Sequence, residues 1–146
     1  WHSPIPETVA ATGSSDILRH DIYDRPPIPR WGVGPVTLAG DAAHPMTPNL
    51  GQGAAMGIED AVVLASCLDT YATIEGALRA YEHQRRSRTA ALTRLSYQMG
   101  RIAQMERSRM IGIRNRLARS MPNALSQRQV MQITNWKPPL MEPSHQ

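Results

Sequence analysis

A carboxylate and two glycines are spaced in a way that suits a bound cofactor. Asp41 follows a short apolar run at residues 36–39, and Gly51 and Gly53 precede a long apolar segment. A helix that begins at these glycines would expose unpaired N–H groups and the positive end of its dipole, which attract electron-rich groups. The glycines would let a ligand approach the backbone, and Asp41 would accept hydrogen bonds from ligand hydroxyls.

Spacing alone leaves a structural interpretation open with equal weight. In that case Gly51 and Gly53 serve tight packing, and Asp41 caps a helix. No glycine follows Gly53 at the spacing of the dinucleotide-binding pattern Gly-x-Gly-x-x-Gly. The other Gly-x-Gly pair, Gly32 and Gly34, precedes a predicted strand instead of following one. The pattern by itself therefore favours neither a cofactor site nor a purely structural turn.

Hydrophobic spacing predicts the elements that hold this turn. Residues 36–39 are typical of a short buried strand, and residues 17–23 predict a second strand with imperfect alternation. Residues 51–70 predict a helix that is apolar nearly all round, which indicates a buried helix packed on a sheet. The apolar positions that are spaced four and three apart are Ala54, Ile58, Ala61, Ala65 and Leu68.

Further helices are predicted before and after this unit. Two prolines near the start are compatible with the first turn of a short helix ending at Ala11. Residues 73–119 keep a four-three apolar rhythm, which predicts one long helix or two helices in series. Residues 121–123 should break the helix, and a short helix is expected to about Ile133, followed by a tail from residue 138.

Two arginines lie on the apolar seam of residues 73–119, and two interpretations of them are equally supported. The stems of Arg85 and Arg88 either lie along apolar surface with their charged ends in water, or both groups are partly buried. In the second case they pair with carboxylates, for which Glu59 and Asp60 on the preceding helix are the candidates.

His44 and Cys67 are predicted to be structural. His44 follows the turn beside Pro45, with no partner base or metal ligand at suitable spacing, so its ring is expected to order the turn. Cys67 falls within an apolar helix and is expected in the core. One cysteine excludes an internal disulfide framework and a multi-cysteine zinc site. The sequence identifies no catalytic residue and no metal ligand.

Length and charge narrow the class of protein. The chain has 146 residues, enough for one domain, and contains no transmembrane-length apolar stretch and no signal-peptide layout, so the cytoplasm is expected. A net charge of +4 combines −6 over residues 1–84 with +10 over residues 85–128. Interleaved aromatic residues are missing from the basic segment, which argues against nucleic acid. A solvated or protein-docking face is favoured over a membrane-binding one.

The sequence around the candidate turn resembles a known motif. Residues 40–54 read Gly-Asp-Ala-Ala-His-Pro-Met-Thr-Pro-Asn-Leu-Gly-Gln-Gly-Ala, and residues 58–61 read Ile-Glu-Asp-Ala. This is similar to the second FAD-binding motif of the class A flavoprotein monooxygenases, the para-hydroxybenzoate hydroxylase-like group that includes salicylate hydroxylase-like and zeaxanthin epoxidase-like enzymes. Asp24–Pro27 with Trp31, and Tyr81–Arg88, also look like that family. The likeness is strongest over residues 24–95.

The resemblance implies an α/β fold, here a fragment of a Rossmann-like FAD-binding domain that is mostly helical with two or three short strands. Asp41 would bind the ribityl chain, Pro48 would lie against the isoalloxazine, and the 51–54 backbone would face the pyrimidine edge. NAD(P)H would reduce FAD, and O2 would supply one oxygen atom to hydroxylate or epoxidise a small organic substrate. The implied cofactor-binding residues are Gly40, Asp41, Pro48, Leu50, Gly51, Gln52, Gly53 and Ala54.

The resemblance also implies a division of the chain. Residues 1–30 would be a remnant of a substrate domain or linker, residues 31–70 the strand–loop–helix unit of the FAD domain, and residues 71–146 C-terminal helices and tail. The first Gly-x-Gly-x-x-Gly turn of the family is missing, so the chain is expected to be a C-terminal part that alone is inactive and binds FAD weakly or not at all. Its partner would be the N-terminal part of the same protein. The alternative is a non-catalytic relative that acts as a basic helical module for a membrane surface or an acidic partner.

Overall fold

Helices dominate the computed structural model, which describes residues 2–139 except for the side chains of residues 124–126, 129 and 132. The predicted helices are confirmed, and the long helical stretch is two helices in series. The tail predicted beyond residue 139 lies outside the described residues. In chain order the α-helices are α1 (Ile5–Ala11), α2 (Gly53–Thr70), α3 (Ile74–Ala103), α4 (Ser108–Ser120) and α5 (Asn123–Thr134).

The prediction of two or three short strands is wrong for residues 2–139. The segments 17–23 and 36–39 form no strand, and an isolated bridge between Val33 and Val36 is the extent of β-pairing there. A strand is stable only when a neighbouring strand satisfies its N–H and C=O groups, and no described segment supplies one to these residues. The described part of the chain is therefore helical with irregular connections, not α/β.

The centre of the structure is a hairpin of α2 and α3. The helices are joined by residues 71–73, and Thr73 caps α3 by accepting a hydrogen bond from the Gly76 N–H at 3.1 Å. The irregular segment before α2 packs against this hairpin and closes the core. The buried core residues are Trp31, Ala43, Val63, Cys67, Ala77 and Tyr81.

Helix α2 is buried on one face, whereas its apolar character nearly all round predicted a helix buried throughout. The five predicted seam residues, from Ala54 to Leu68, are all exposed, and Ile58 keeps 66% of its surface. The opposite face, which also carries Met56 and Val63, packs against α3, and Glu59 and Asp60 can be buried there because their charges are paired. Cys67 lies on that inner face, as expected of a core residue, and burial raises the pKa of its thiol.

The last two helices are tied back to the α2–α3 hairpin. Arg114 in α4 donates hydrogen bonds to the carbonyls of Ile102 and Ala103 at 2.9 and 3.0 Å, which satisfies the end of α3. Arg88 donates to the Ile133 carbonyl at 3.0 Å near the end of α5. Over residues 2–139, the structure contains no helix with the length and apolar character needed to cross a membrane.

Candidate cofactor site

The beginning of α2 is an open helix N-terminus. Gly51 has φ +62°, in the left-handed region, and a Cβ added there would meet no described atom within 4 Å. Gln52 at the N-cap position makes no side-chain capping hydrogen bond. The first N–H groups of the helix therefore have no cap from the preceding side chain, and the Cβ position of Gly51 beside them is open.

The Asp41 carboxylate lies next to this helix start. Asp41 belongs to a 3-10 turn, Gly40–Ala42, and is exposed. A Cβ placed on Gly53 would be 4.0 Å from Asp41 Oδ1 and 3.9 Å from Met46 Cγ. Gly40 has φ +55° and open space at its Cβ position, like Gly51. The fold thus places an accessible carboxylate beside the positive end of a helix.

A second 3-10 turn, Pro48–Leu50, leads into the helix start and is held on α3. The Ser96 hydroxyl donates to the Thr47 carbonyl at 2.6 Å, and the Asn49 side-chain amide donates to the Ser96 carbonyl at 3.1 Å. The Asn49 amide also lies where a Cβ on Gly100 would be. Ser96 and Gly100 therefore determine how closely this turn packs against α3.

The eight residues predicted to contact a cofactor are adjacent in space as well as in sequence. Gly40 and Asp41 lie on one side of the α2 N-terminus, and Pro48 to Ala54 form the turn and the helix start. Pro48, Gly51 and Ala54 are exposed, whereas Leu50, Gln52 and Gly53 are half-buried. The arrangement offers backbone donors and one acceptor, which suit binding and charge stabilisation.

Beneath this surface lies a buried group of ion pairs. Arg85 Nε and Nη1 contact Asp60 Oδ1 at 2.7 Å and Glu59 Oε2 at 2.6 Å. Arg88 makes two contacts of 2.7 Å with the two oxygens of Glu59. Arg85 is 1% exposed. The pairing of both arginines with these carboxylates is confirmed, and the interpretation in which their guanidinium groups extend into water is wrong.

His44 orders the turn, but the expectation that it has no partner is wrong. Its Nε2 lies 2.6 Å from Asp60 Oδ2, and both side chains are buried. The same oxygen accepts the Gly40 N–H at 2.9 Å. Because an ionised carboxylate only accepts, Nε2 carries the proton in this pair. Asp60 lies 16 residues further along the chain, within α2, so the residues next to His44 gave no sign of this pair.

The charge on Asp60 is stabilised by its contacts. Burial acts to raise the pKa of Asp60, but the hydrogen bonds from His44, Arg85 and the Gly40 amide outweigh it and hold the pKa below 3.8. Burial, with the charge of Asp60 nearby, raises the pKa of Tyr81, which stays protonated and donates to the Leu38 carbonyl at 3.4 Å. The carboxylate under the turn is therefore ionised at neutral pH.

Arg25 is a further residue of the site that sequence reasoning missed. Its guanidinium donates to the carbonyls of Ala42 and Ala43, the latter at 3.1 Å, and so helps to hold the turn. A charged side chain among prolines at residues 26–29 was the available signal. Asp60 carried a comparable signal, because a carboxylate inside an apolar helix requires a partner when it is buried.

Comparison with known proteins agrees with this geometry. A family model described as "FAD binding domain" matches residues 23–96, about half of the chain. The chain belongs to this family. The matched region contains both 3-10 turns, α2 and most of α3, so it includes the open helix start and the ion pairs beneath it. FAD is the cofactor for this family's site.

Related proteins are monooxygenases. The chain is 47% identical over 121 residues to aurachin C monooxygenase/isomerase from Stigmatella aurantiaca, and 44% identical over 102 residues to chloroplastic zeaxanthin epoxidase from Prunus armeniaca. These alignments cover 83% and 63% of the chain. The crystal structure of Klebsiella pneumoniae HpxO with FAD and uric acid matches 91% of the chain at a TM-score of 0.78 and 30% identity.

The chain spans only part of each of these proteins. It covers 32% of the aurachin C enzyme, 15% of the zeaxanthin epoxidase and 34% of the HpxO chain. The similarity to HpxO includes the helices as well as the site, because almost all of the chain is aligned. The exposed carboxylate, the open N–H groups and the two left-handed glycines all fit a flavin nucleotide.

Proposed function

We propose that this chain is the flavin-contacting C-terminal part of an NAD(P)H-dependent monooxygenase that uses O2 to hydroxylate or epoxidise a small organic substrate. The observation that carries the proposal is the open N-terminus of α2 at Gly51–Gly53, with the Asp41 carboxylate beside it. The names of the related proteins support the reaction class: a monooxygenase/isomerase, an epoxidase, and a protein crystallised with FAD and uric acid.

Each part of the site has a role in this proposal. Asp41 accepts hydrogen bonds from the ribityl hydroxyls, and Gly40 keeps the backbone beside them free of a Cβ. The N–H groups that follow Gly51 and Gln52 stabilise negative charge on the pyrimidine edge. Pro48 and Leu50 lie along the ring. Bound FAD supplies the redox chemistry, and the chain's own residues bind and orient it.

The exposed face of α2 indicates where the rest of the protein packs. Its small apolar side chains, with Ile58 at the centre, form a stripe that is unusual for a solvated helix. We propose that an α/β, Rossmann-like sheet from the rest of the polypeptide covers it. In that arrangement residues 1–30 connect to a substrate domain, residues 31–70 complete the FAD domain, and residues 71–146 form its C-terminal helices.

Without that sheet the site lacks the surface that would enclose the other side of the cofactor. The isolated chain should therefore bind FAD weakly or not at all and have no monooxygenase activity. Fluorescence titration of FAD with the isolated chain would measure this, and tight stoichiometric binding would show that the remaining polypeptide is unnecessary. The cytoplasm remains the expected compartment, because one cysteine gives no sign of an oxidising one.

The decisive experiment uses the complete polypeptide. It should purify with flavin absorbance and consume O2 when NADH or NADPH is added. Asp41→Ala should raise the FAD dissociation constant about tenfold or more, because charged hydrogen bonds are lost. Asp69→Ala, which removes an exposed carboxylate from the far end of α2, should leave the constant unchanged. A wild-type protein that binds no flavin would overturn the proposal.

One observation favours a second candidate, a basic interaction module. Helix α4 contains no acidic residue, and three of its apolar side chains are exposed at helical spacing. These side chains are Met110, Ile113 and Leu117, and the arginines of the helix are Arg109, Arg114, Arg116 and Arg119. Salt-sensitive binding to anionic vesicles by a complete protein that lacks flavin would support this candidate over the monooxygenase.

A further inference from the structure

One buried carboxylate connects the flavin turn to the helices below it. Asp60 is 1% exposed and lies in α2, two turns after the helix begins. Its Oδ2 accepts hydrogen bonds from the Gly40 N–H at 2.9 Å and from His44 Nε2 at 2.6 Å. Its Oδ1 accepts from Arg85 Nε at 2.7 Å. The carboxylate therefore contacts the turn on one side and α3 on the other.

The two contacts on Oδ2 hold both ends of the segment that carries Asp41. Gly40 and His44 are the first and last residues of this five-residue segment, and the Gly40 carbonyl also accepts the His44 N–H at 3.0 Å. Gly40 has a left-handed φ of +55°. A change in its backbone conformation would turn its N–H away from Asp60 Oδ2. One fixed oxygen therefore holds both ends of this segment, while Arg25 holds its middle through the Ala42 and Ala43 carbonyls.

The neighbouring residue offers a natural comparison. Glu59 is similarly buried and pairs with Arg85 and Arg88, but the structure records no hydrogen bond or ion pair between its side chain and residues 40–54. Both carboxylates contribute to the same charge cluster. Of the two, Asp60 is the one that connects that cluster to the cofactor turn.

We propose that Asp60 is a positioning residue for the flavin: through Gly40 and His44 it fixes the turn that presents Asp41 to the cofactor. This inference rests on the proposed flavin-binding function. It concerns a residue that does not touch the cofactor and acts through the turn alone. His44 transmits the same constraint, and Arg85 holds the carboxylate in place.

The test compares Asp60→Asn with Glu59→Gln in the complete polypeptide. Each variant removes one negative charge from the cluster and leaves Arg85 with one carboxylate. Both should lower the melting temperature. Asp60→Asn should also raise the FAD dissociation constant about tenfold, because a neutral amide oxygen holds Gly40 and His44 more weakly. Glu59→Gln should leave that constant within about twofold of wild type.

A second variant covers the case in which Asp60→Asn does not fold. His44→Gln leaves the Asp60–Arg85 pair intact and should also raise the FAD dissociation constant. Where all proteins fold, the Asp60 and His44 substitutions combined should weaken binding by less than the product of the single effects. Equal changes in affinity for Asp60→Asn and Glu59→Gln, or normal affinity in His44→Gln, would overturn the inference. Absence of flavin from the wild-type protein would instead reject the proposed function.

Discussion

Gly51 and Gly57 differ in one respect that a single substitution can test. Both have open space at the Cβ position among the described residues, but only Gly51 has a positive φ. Gly51→Ala should lower the free energy of unfolding by about 1 kcal/mol, because L-residues are strained there. Gly57→Ala, inside α2, should raise it by about 0.5–1 kcal/mol, because alanine favours helix. Urea unfolding measures both, and changes of the same sign would contradict the assignment.

Acid should weaken the structure through Asp60. Its pKa is lowered in the folded protein, so its contribution to stability is fully present above the unfolded value near 3.8. The contribution is lost as the pH falls through the lower folded value. We therefore expect the stability difference between wild type and Asp60→Asn to be large at pH 6 and to shrink as the pH falls below about 3.8. Unfolding free energies at successive pH values measure the difference, and a constant difference would contradict the expectation.

The sequence displays the proposed cofactor-binding turn, residues 40–54, more clearly than the residues that support it. Asp41, Gly51 and Gly53 stand in a local pattern with a chemical meaning, which sequence alone can display. The contacts of Asp60 with Gly40 and His44 bridge 20 and 16 positions. Such contacts depend on how α2 packs against the turn, and no local pattern encodes that packing.

At the scale of elements, the turn before α2 depends on a glycine in α3. Gly100→Ala would place a methyl group on the Asn49 amide and displace it from the Ser96 carbonyl. The lost hydrogen bond and the crowding should outweigh the helix preference of alanine, for a net loss of about 1–2 kcal/mol. Asn49→Ala in the same protein should remove the conflict and restore part of that loss. Urea denaturation measures both, and no recovery would contradict the mechanism.

The helices were predictable and the strands were not, for a physical reason. A helix satisfies its hydrogen bonds within its own segment, so apolar spacing was sufficient to find α2 and α3. A strand needs partners from elsewhere, and among residues 2–139 the segment 36–39 has one isolated bridge, from Val36 to Val33. Apolar spacing could not identify the inner face of α2, because Glu59 and Asp60 are polar by type and pairing with Arg85 allows them to be buried.

At the scale of the whole molecule, the exposed stripe of α2 allows the proposed covering sheet to be tested. If a sheet from the remaining polypeptide covers the stripe, Ile58→Gln should change the stability of the isolated chain and of the complete protein by different amounts. In the isolated chain Ile58 is 66% exposed, so the substitution should change stability by less than about 0.5 kcal/mol. In the complete protein it should cost about 2 kcal/mol or more, because an amide replaces buried apolar surface.

Val9 provides the matched control for that comparison, since it is 65% exposed on α1, away from the stripe. Val9→Gln should have little effect on the stability of the isolated chain, and the same small effect in the complete protein if α1 stays solvated there. Thermal and urea unfolding of both variants should be measured in the isolated chain and in the complete protein. A loss of stability confined to Ile58→Gln in the complete protein indicates a covered helix face, whereas a loss in both variants indicates a protein that is more sensitive to any substitution. An Ile58→Gln effect that is equally small in both contexts would mean that α2 remains solvated and that the rest of the FAD domain packs elsewhere.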